Sequence, residues 1–301
     1  MKHELSVLIP VFNCRCRDLT ESLHRQLRVL PVKYEIIVAD DGSTDTQVIA
    51  ENRSIKTLEN VRLIERNINS GRAKIRNFLA REAQHSNLLF LDGDMSIEKD
   101  DFIANYIKHD APVVYGGYDI THNDETLKSN LRYRYERKAE GNHSAAIRSK
   151  KPYNDFHTSN FMTTKEIMTR FPFDERLRHY GYEDVLWGKT LRDNGIVIKH
   201  IDNPLTFADF ETNDGFVRKT EEGLRTLRMF KDELQGYSSL LEYERIIRRL
   251  HLVPLMRRMF RLLRKTLLHN LESNNPSIFK FNIYKLLYFL NEERGNNKET
   301  K

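Results

Sequence analysis

The chain has 301 residues, 39% hydrophobic and 31% charged, with a formal net charge of +6; this excludes a disordered tract and leaves room for one α/β core plus an appendage. No stretch of about 18 uncharged apolar residues occurs, so no membrane-spanning helix is expected. Cys14 and Cys16 stand too close for an ordinary disulfide and lack the second pair of a structural zinc site, so they read as reduced thiols of a cytoplasmic protein, and the start MKHELSVLIP shows no export signal.

Residues 5–11 (LSVLIPV) form a continuous apolar run, the pattern of a strand covered on both faces. Leu19, Leu23, Leu27 and Leu30 predict a helix over 18–30, and residues 34–39 (YEIIVA) predict a second buried strand, completing a βαβ unit. That strand runs into Asp40-Asp41-Gly42-Ser43-Thr44-Asp45. A helix over 44–58, a strand at 61–65, a helix over 71–84 and a strand at 87–91 follow, the last ending at Asp92-Gly93-Asp94. Both acidic clusters therefore lie past the carboxyl ends of buried strands, where open α/β sheets hold ligands. Beyond residue 100 the alternation loosens into a strand-like PVVYGGYDI, a polar and basic stretch at 121–152, helices near 163–170 and 182–194, and a strand at 196–201. Residues 214–301 read as almost wholly helical, with a frayed polar tail from Asn291. The expected division is a catalytic domain over 1–213 and a helical extension over 214–301.

Asp92 and Asp94, two apart in an extended segment, point to one side and offer hard oxygen ligands to a divalent ion, Mn2+ or Mg2+, which can neutralise a departing diphosphate. Gly93 leaves the backbone open to phosphate or sugar, although Asp-Gly also marks ordinary surface turns. Carboxylates at 40–45 can accept from the imide N–H of uracil and from ribose hydroxyls, while Ser43 or Thr44 caps the next helix; the two readings are compatible.

Five segments, SVLIPVFN at 6–13, EIIVADDGSTD at 35–45, NINSGRAKIRN at 67–77, LLFLDGD at 88–94 and GYEDVLWGKTL at 181–191, together resemble the family 2 inverting glycosyltransferases of bacterial type, over about two thirds of the chain. The resemblance implies the GT-A fold, a mostly parallel α/β sheet flanked by helices, here with a helical C-terminal extension. It implies transfer of a sugar from a nucleotide-diphosphate donor, foremost a UDP-sugar, to a hydroxyl of a glycan or lipid-linked acceptor in surface polysaccharide synthesis. On this likeness Pro10, Phe12 and Asn13 line base and ribose, Asp40 or Asp41 contacts uridine, and Gly71, Arg76 and Asn77 lie beneath the nucleotide. Arg72 is a candidate to meet the diphosphate from a helix start; an exposed helical face is the other reading of Arg72 and Arg76. Asp94 serves the metal, and Asp92 with Gly93 serves ribose or metal. Glu183-Asp184 matches the family's acidic pair, whose second member is the general base, although both acids also suit the first turn of a helix. His157, Ser159 and Asn160 fall where donor-sugar and acceptor contacts lie, with Trp187 counted among them; a polar turn capping the helix at 163–170 is the alternative.

One departure concerns the metal shell. Many relatives carry a histidine shortly after an Asn-Pro, whereas here Asn203-Pro204 leads to Leu205-Thr206-Phe207. Asp209, Glu211 or His200 are the substitutes at hand, His200 reading better as a structural histidine. A catalytically silent nucleotide-sugar or membrane-binding module of the same fold is the alternative to an enzyme; a nucleotidyltransferase lacks its phosphate loop at the first strand.

Residues 241–268 interleave aliphatic residues with arginines at helical spacing, interrupted by Pro254, and 278–290 (IFKFNIYKLLYFL) adds aromatics. Such helices suit an anionic membrane surface, at its cytoplasmic inner face, or packing on the catalytic domain or on a second protomer of a homo-oligomer. No nucleic-acid motif accompanies them, so nucleic acid is not an expected partner.

Overall fold

The computed structural model describes residues 2–120, 124–139, 141, 143–207 and 209–292. Most of the expected polar tail, 293–301, lies outside the described residues, as do 121–123, 140 and 142 of the polar stretch. The chain forms two compact units, one of Met1–Thr121, Glu140–Arg178 and Glu183–Asp209, the other of His122–Ala139, His179–Tyr182 and Phe210–Lys301.

The first unit opens with β1 (Glu4–Val11), α1 (Arg17–Arg28), β2 (Lys33–Asp40), α2 (Thr46–Asn52), β3 (Val61–Glu65), α3 (Arg72–Glu82) and β4 (Asn87–Leu91). It continues through β5 (Met95–Ser96), α4 (Phe102–Ile107), β6 (Val113–Tyr115) and β7 (Tyr118–Asp119). After α5 (Leu131–Ala139), which belongs to the second unit, come α6 (Ala145–Arg148), β8 (Asn160–Thr164), α7 (Lys165–Arg170), α8 (Glu183–Asp193), β9 (Ile198–His200) and β10 (Leu205–Phe207). Leu5, Val7, Leu8 and Ile9 have no exposed surface, as a strand with both faces covered requires.

The main sheet has the order β3-β2-β1-β4-β8-β6-β9, and β5, β10 and β7 form a small second sheet. β1 runs parallel to β2 and β4, β2 to β3, and β6 to β9, while β8 is antiparallel to both β4 and β6. The mostly parallel sheet flanked by helices is the fold the sequence implied. Strand order reverses between β1 and β4, so the crevice outside their carboxyl ends is the topological switch point at which such sheets bind ligands.

Several elements differ from their sequence expectation. Residues 160–164 (NFMTT) are a strand instead of a helix start, because the segment is buried between β4 and β6; α7 begins only at Lys165, where Thr164 Oγ1 accepts from the Ile167 N–H at 3.2 Å. The helix expected over 44–58 divides into α2 and a 3₁₀ turn at Arg53–Thr57, and its cap is Asp45, not Ser43 or Thr44. PVVYGGYDI breaks at Gly116-Gly117 into strands of different sheets.

The second unit contains α5, α9 (Asn213–Met229), α10 (Ser239–Arg249), α11 (Val253–Leu271) and α12 (Ile278–Asn291). It reaches beyond the expected 214–301 because α5 turns an aromatic face to α9 and α12, with Tyr135 5.6 Å from Phe281 edge-on. Residues 179–182 join it through the Tyr180 N–H, which donates to Glu222 at 3.0 Å, and the Tyr180 carbonyl, which accepts from Thr226 at 2.9 Å. Pro254 lies in the first turn of α11 and so opens that helix instead of interrupting a longer one.

Candidate active site

At the switch point the loops after β1 and β2 are tied together by one side chain. Asn13 Oδ1 accepts from the N–H groups of Thr44 and Asp45 at 2.8 and 3.0 Å, its Nδ2 donates to Thr44 Oγ1, and its own N–H donates to Ser43 Oγ at 2.8 Å. Its φ of 49° is left-handed, which Asn tolerates better than most residues. The amide expected to line the nucleotide is thus spent on loop geometry. Phe12 beside it is 46% exposed and presents its ring to solvent, and Pro10 is half-buried at the end of β1.

The two acids after β2 also point into structure. Asp41 is buried and accepts from Arg66 and Ser70 Oγ with one oxygen, and from the N–H groups of Ser70 and Gly71 with the other. Both oxygens thus have partners within the protein. Asp40 accepts from the Ser43 N–H at 2.8 Å with Oδ1, and its other oxygen accepts nothing among the described residues. Asn77 is likewise spent: it exchanges hydrogen bonds of 2.9 Å with both backbone groups of Phe173.

Gly71 has φ +88°, and a Cβ there would stand 2.6 Å from the Arg178 carbonyl oxygen. Only glycine fits this entry to α3. Gly93 is buried, and a Cβ would meet Val11 Cγ2 at 3.0 Å and the Pro10 carbonyl at 3.2 Å. Within the protein, the close approach at this glycine is that of β1 and the loop after it.

From α3 two arginines reach the acidic clusters. Arg76 is 1% exposed and pairs with Asp92 Oδ1, with Glu183 Oε1 3.8 Å away. Its depth excludes the exposed helical face and also direct contact with a ligand at the surface. Arg72 is 37% exposed and lies 3.4 Å from Glu183 Oε1 and 3.9 Å from Asp92 Oδ2. Two cations and two carboxylates thus join the end of β4 to the start of α8. Asp94 stands outside this network: it is half-buried, and its carboxylate has no hydrogen-bond or ion-pair partner among the described residues. Burial first, and then the Asp94 charge, push the Cys14 thiol up to about 12; burial does the same to Cys16, so both stay protonated, and both are free.

Left-handed backbone at Gly181 (φ 94°) and Tyr182 (φ 70°) turns the chain sharply just before α8, whose first two residues are Glu183 and Asp184. Asp184 Oδ2 lies 2.9 Å from His157 Nδ1, and Oδ1 accepts from the Val185 N–H at 2.7 Å. Burial pushes this carboxyl up, but the hydrogen bond and charge of His157, the Val185 N–H and Arg72 outweigh it, and its pKa falls below 3.8. His157 is itself flanked by the rings of Tyr118 and Tyr115, at 5.6 and 6.3 Å. The segment 155–161 also meets the acidic turn directly, since the Ser159 carbonyl accepts from the Asp92 N–H at 2.9 Å.

The other residues expected around the sugar are inward-facing. Asn160 is fully buried, donating to the carbonyls of Gly117 and Asn203 and accepting from the Tyr106 hydroxyl. The Ser159 hydroxyl is buried. Trp187 is 2% exposed, packs against Phe156, Phe161 and Phe173, and donates its indole N–H to the Phe171 carbonyl at 2.8 Å. Asn160 and Trp187 thus face inward, while His157 faces the Asp184 carboxyl.

Residues 6–177 match the family model described as Glycosyl transferase family 2. The chain belongs to glycosyl transferase family 2. It is 38% identical over 95 residues to a poly(ribitol-phosphate) beta-glucosyltransferase of Bacillus spizizenii, covering 30% of this chain and 15% of that protein. It is 24% identical over 287 residues to the chondroitin synthase of Pasteurella multocida, covering 84% and 29%, and 35% identical over 101 residues to an uncharacterized glycosyltransferase of Haemophilus influenzae, covering 34% and 38%. The chain thus spans well under half the length of each of these relatives. Among solved structures, the mannosyltransferase PcManGT of Pyrobaculum calidifontis, in complex with GDP-Man and Mn2+, superposes with a TM-score of 0.57 at 14% identity, over 100% of this chain and 89% of that one. TarS 1-349 of S. aureus with UDP-GlcNAc gives 0.52 at 16% identity, over 98% and 92%. These likenesses show the GT-A fold.

For this glycosyltransferase the donor set near the switch point suits a hard divalent ion in part. Asp94 offers an uncommitted carboxylate, whereas Asp92 is already neutralised by arginines, and no three His, Cys, Asp or Glu side chains converge among the described residues. Phe207, which follows Asn203-Pro204 where no histidine occurs, pairs in register with Met95, next to Asp94, so an apolar ring flanks that carboxylate's strand. His200 is no substitute: Arg148 donates to its Nδ1, its Nε2 bonds the Pro152 carbonyl, and burial pulls it down to about 4. Glu211 lies in the second unit, holding Arg132 and Lys219. Diphosphate and water can supply the remaining oxygens, as is usual for ions that keep several waters. Sequence reading missed Arg66, whose only signal is its place just after β3, and the pairing of His157 with Asp184, 27 residues apart with no motif between them.

Proposed function

We propose that this family 2 enzyme transfers a sugar, with inversion, from a nucleoside diphosphate donor, foremost a UDP-sugar, to a hydroxyl of a glycan or lipid-linked acceptor in surface polysaccharide synthesis. The observation that carries the reading is the Asp184 carboxyl held 2.9 Å from His157 at the head of α8, beside Glu183, which Arg72 and Arg76 join to Asp92. Asp184 takes the proton of the acceptor hydroxyl as its oxygen bonds the anomeric carbon, while the bond from that carbon to the diphosphate oxygen breaks on the opposite face. Phe12 supplies an exposed ring for the base, and Arg72, the more exposed of the two arginines, meets the diphosphate. Asp94 would hold a divalent ion, Mn2+ or Mg2+, which would neutralise charge at the leaving group. The relatives named for poly(ribitol-phosphate) glucosylation and chondroitin synthesis support a polysaccharide role, and the solved complexes with UDP-GlcNAc and with GDP-Man and Mn2+ support a metal-assisted nucleotide-sugar donor. Free, protonated thiols agree with a cytoplasmic setting. The helical unit is assigned to docking and not to chemistry.

A thermal-shift screen of the full chain against nucleoside diphosphates and nucleotide sugars, with and without Mn2+, tests the donor class, because a ligand of the folded state raises its apparent stability. UDP with Mn2+ is expected to raise the melting temperature by several degrees. No response to any nucleotide, with or without metal, contradicts the proposal.

A further inference from the structure

The second unit carries a helix face that the chemistry does not use. α11 holds Arg257, Arg258, Arg261, Arg264 and Lys265 and no acidic residue. Val253, Phe260, Leu267 and Leu271 are its buried side. Leu255, Arg258, Leu262 and Lys265, spaced alternately three and four apart, fall within about 80° of one another on the opposite side of the helix. All four are exposed, Leu255 at 50% and Leu262 at 71%. A groove of about 460 Å³ lined by Phe260, Arg261, Arg264, Lys265, Leu268 and Asn291 lies toward the α12 side of the helix, away from this row except at Lys265. α10 also exposes Tyr243 and Ile246, with Leu250 just past its end, next to exposed Arg245 and Arg249 and one exposed acid, Glu242.

We propose that this face docks on an anionic phospholipid bilayer, Leu255 and Leu262 entering the acyl boundary while Arg258 and Lys265 meet lipid phosphates. Charge complementarity selects the occupant. A second copy applied to the same face through a two-fold axis brings two faces of like positive charge together, which is repulsive. A face meant only for water has no use for exposed leucines between its cations, whereas an interfacial helix needs both. No helix among the described residues is long and apolar enough to cross a membrane, so the contact is superficial. The inference goes beyond the catalytic reading and does not depend on it.

The test is co-sedimentation of the full chain with phosphatidylcholine vesicles, with and without phosphatidylglycerol, at low and high salt. The Leu255→Gln/Leu262→Gln and Arg258→Gln/Lys265→Gln variants are compared; all four positions are exposed, and circular dichroism verifies their folds. The intact chain is expected to pellet with phosphatidylglycerol vesicles at low salt and to be released at high salt. Loss of the two cations weakens binding roughly thirtyfold, and loss of the two leucines roughly a hundredfold. Intact protein that stays in the supernatant at low salt, or variants that pellet like the parent, overturns the proposal. So does a lipid-independent dimer that the Leu255→Gln/Leu262→Gln variant dissolves.

Discussion

Burial and hydrogen bonding pull Asp184 in opposite directions, and the hydrogen bonds win. Because its folded pKa lies below the ordinary 3.8, the stability this pairing contributes is present above that pH and is lost as pH falls through the folded value. Its carboxyl is therefore ionised through the neutral range. Removing His157 takes away the largest lowering influence and leaves burial, so His157→Ala should move the acid limb of the kcat/KM profile to higher pH; an unmoved limb contradicts the pairing. Arg76 is the deeper partner of the neighbouring network. Arg76→Met leaves Asp92 and Glu183 with the half-exposed Arg72 as their remaining partner, and should cost about 3 kcal/mol in urea unfolding, whereas Arg72→Met should spare stability and raise the donor KM. An unchanged urea midpoint for Arg76→Met contradicts the structural role. Sequence named the neighbourhood here without the side-chain directions: Asn13, Asp41, Asn160 and Trp187 all lie at or near the switch point, and their polar groups or rings face inward. Residue type and spacing carry no record of side-chain direction at a strand end, and that direction decides between ligand and scaffold.

Regular elements were legible where they are long. β1 to β4 have five to eight residues and strong apolar runs, so their alternation with helices was readable. β5, β6, β7, β9 and β10 have two or three residues, too few for any period to emerge, and they exist because the larger sheet and its partners pair them. β8 shows tertiary pairing overriding local preference. The junction before α3 supplies a prediction at this scale. With φ +88° and 2.6 Å to the Arg178 carbonyl, Gly71→Ala must shift both the loop and the start of α3. Strain of this kind costs about 1–3 kcal/mol, readable as a lower melting temperature together with weaker donor binding. A variant with unchanged melting rejects the assigned backbone.

At the scale of the molecule, the boundary read from composition at 213/214 cuts through a packed unit. α5 lies before that boundary, and Leu131, Tyr133 and Tyr135 pack within the second unit, the last against Phe216 and Phe281. Deleting 214–301 bares this face, so the truncated chain should aggregate during expression; a soluble, cooperatively unfolding fragment of 1–213 contradicts that organisation. Composition could not reveal it, because α5 is built from alternating Tyr and Arg that resemble any polar stretch.

The central claim is a division of labour in which Asp94 serves the metal and Asp184 serves the proton. Calorimetric titration of UDP into the parent, Asp94→Asn and Asp184→Asn, each with and without Mn2+, addresses it most directly. Mn2+ should tighten UDP binding to the parent and to Asp184→Asn by roughly tenfold or more, and leave Asp94→Asn unaffected. Equal metal dependence in Asp94→Asn, or none in the parent, contradicts the account.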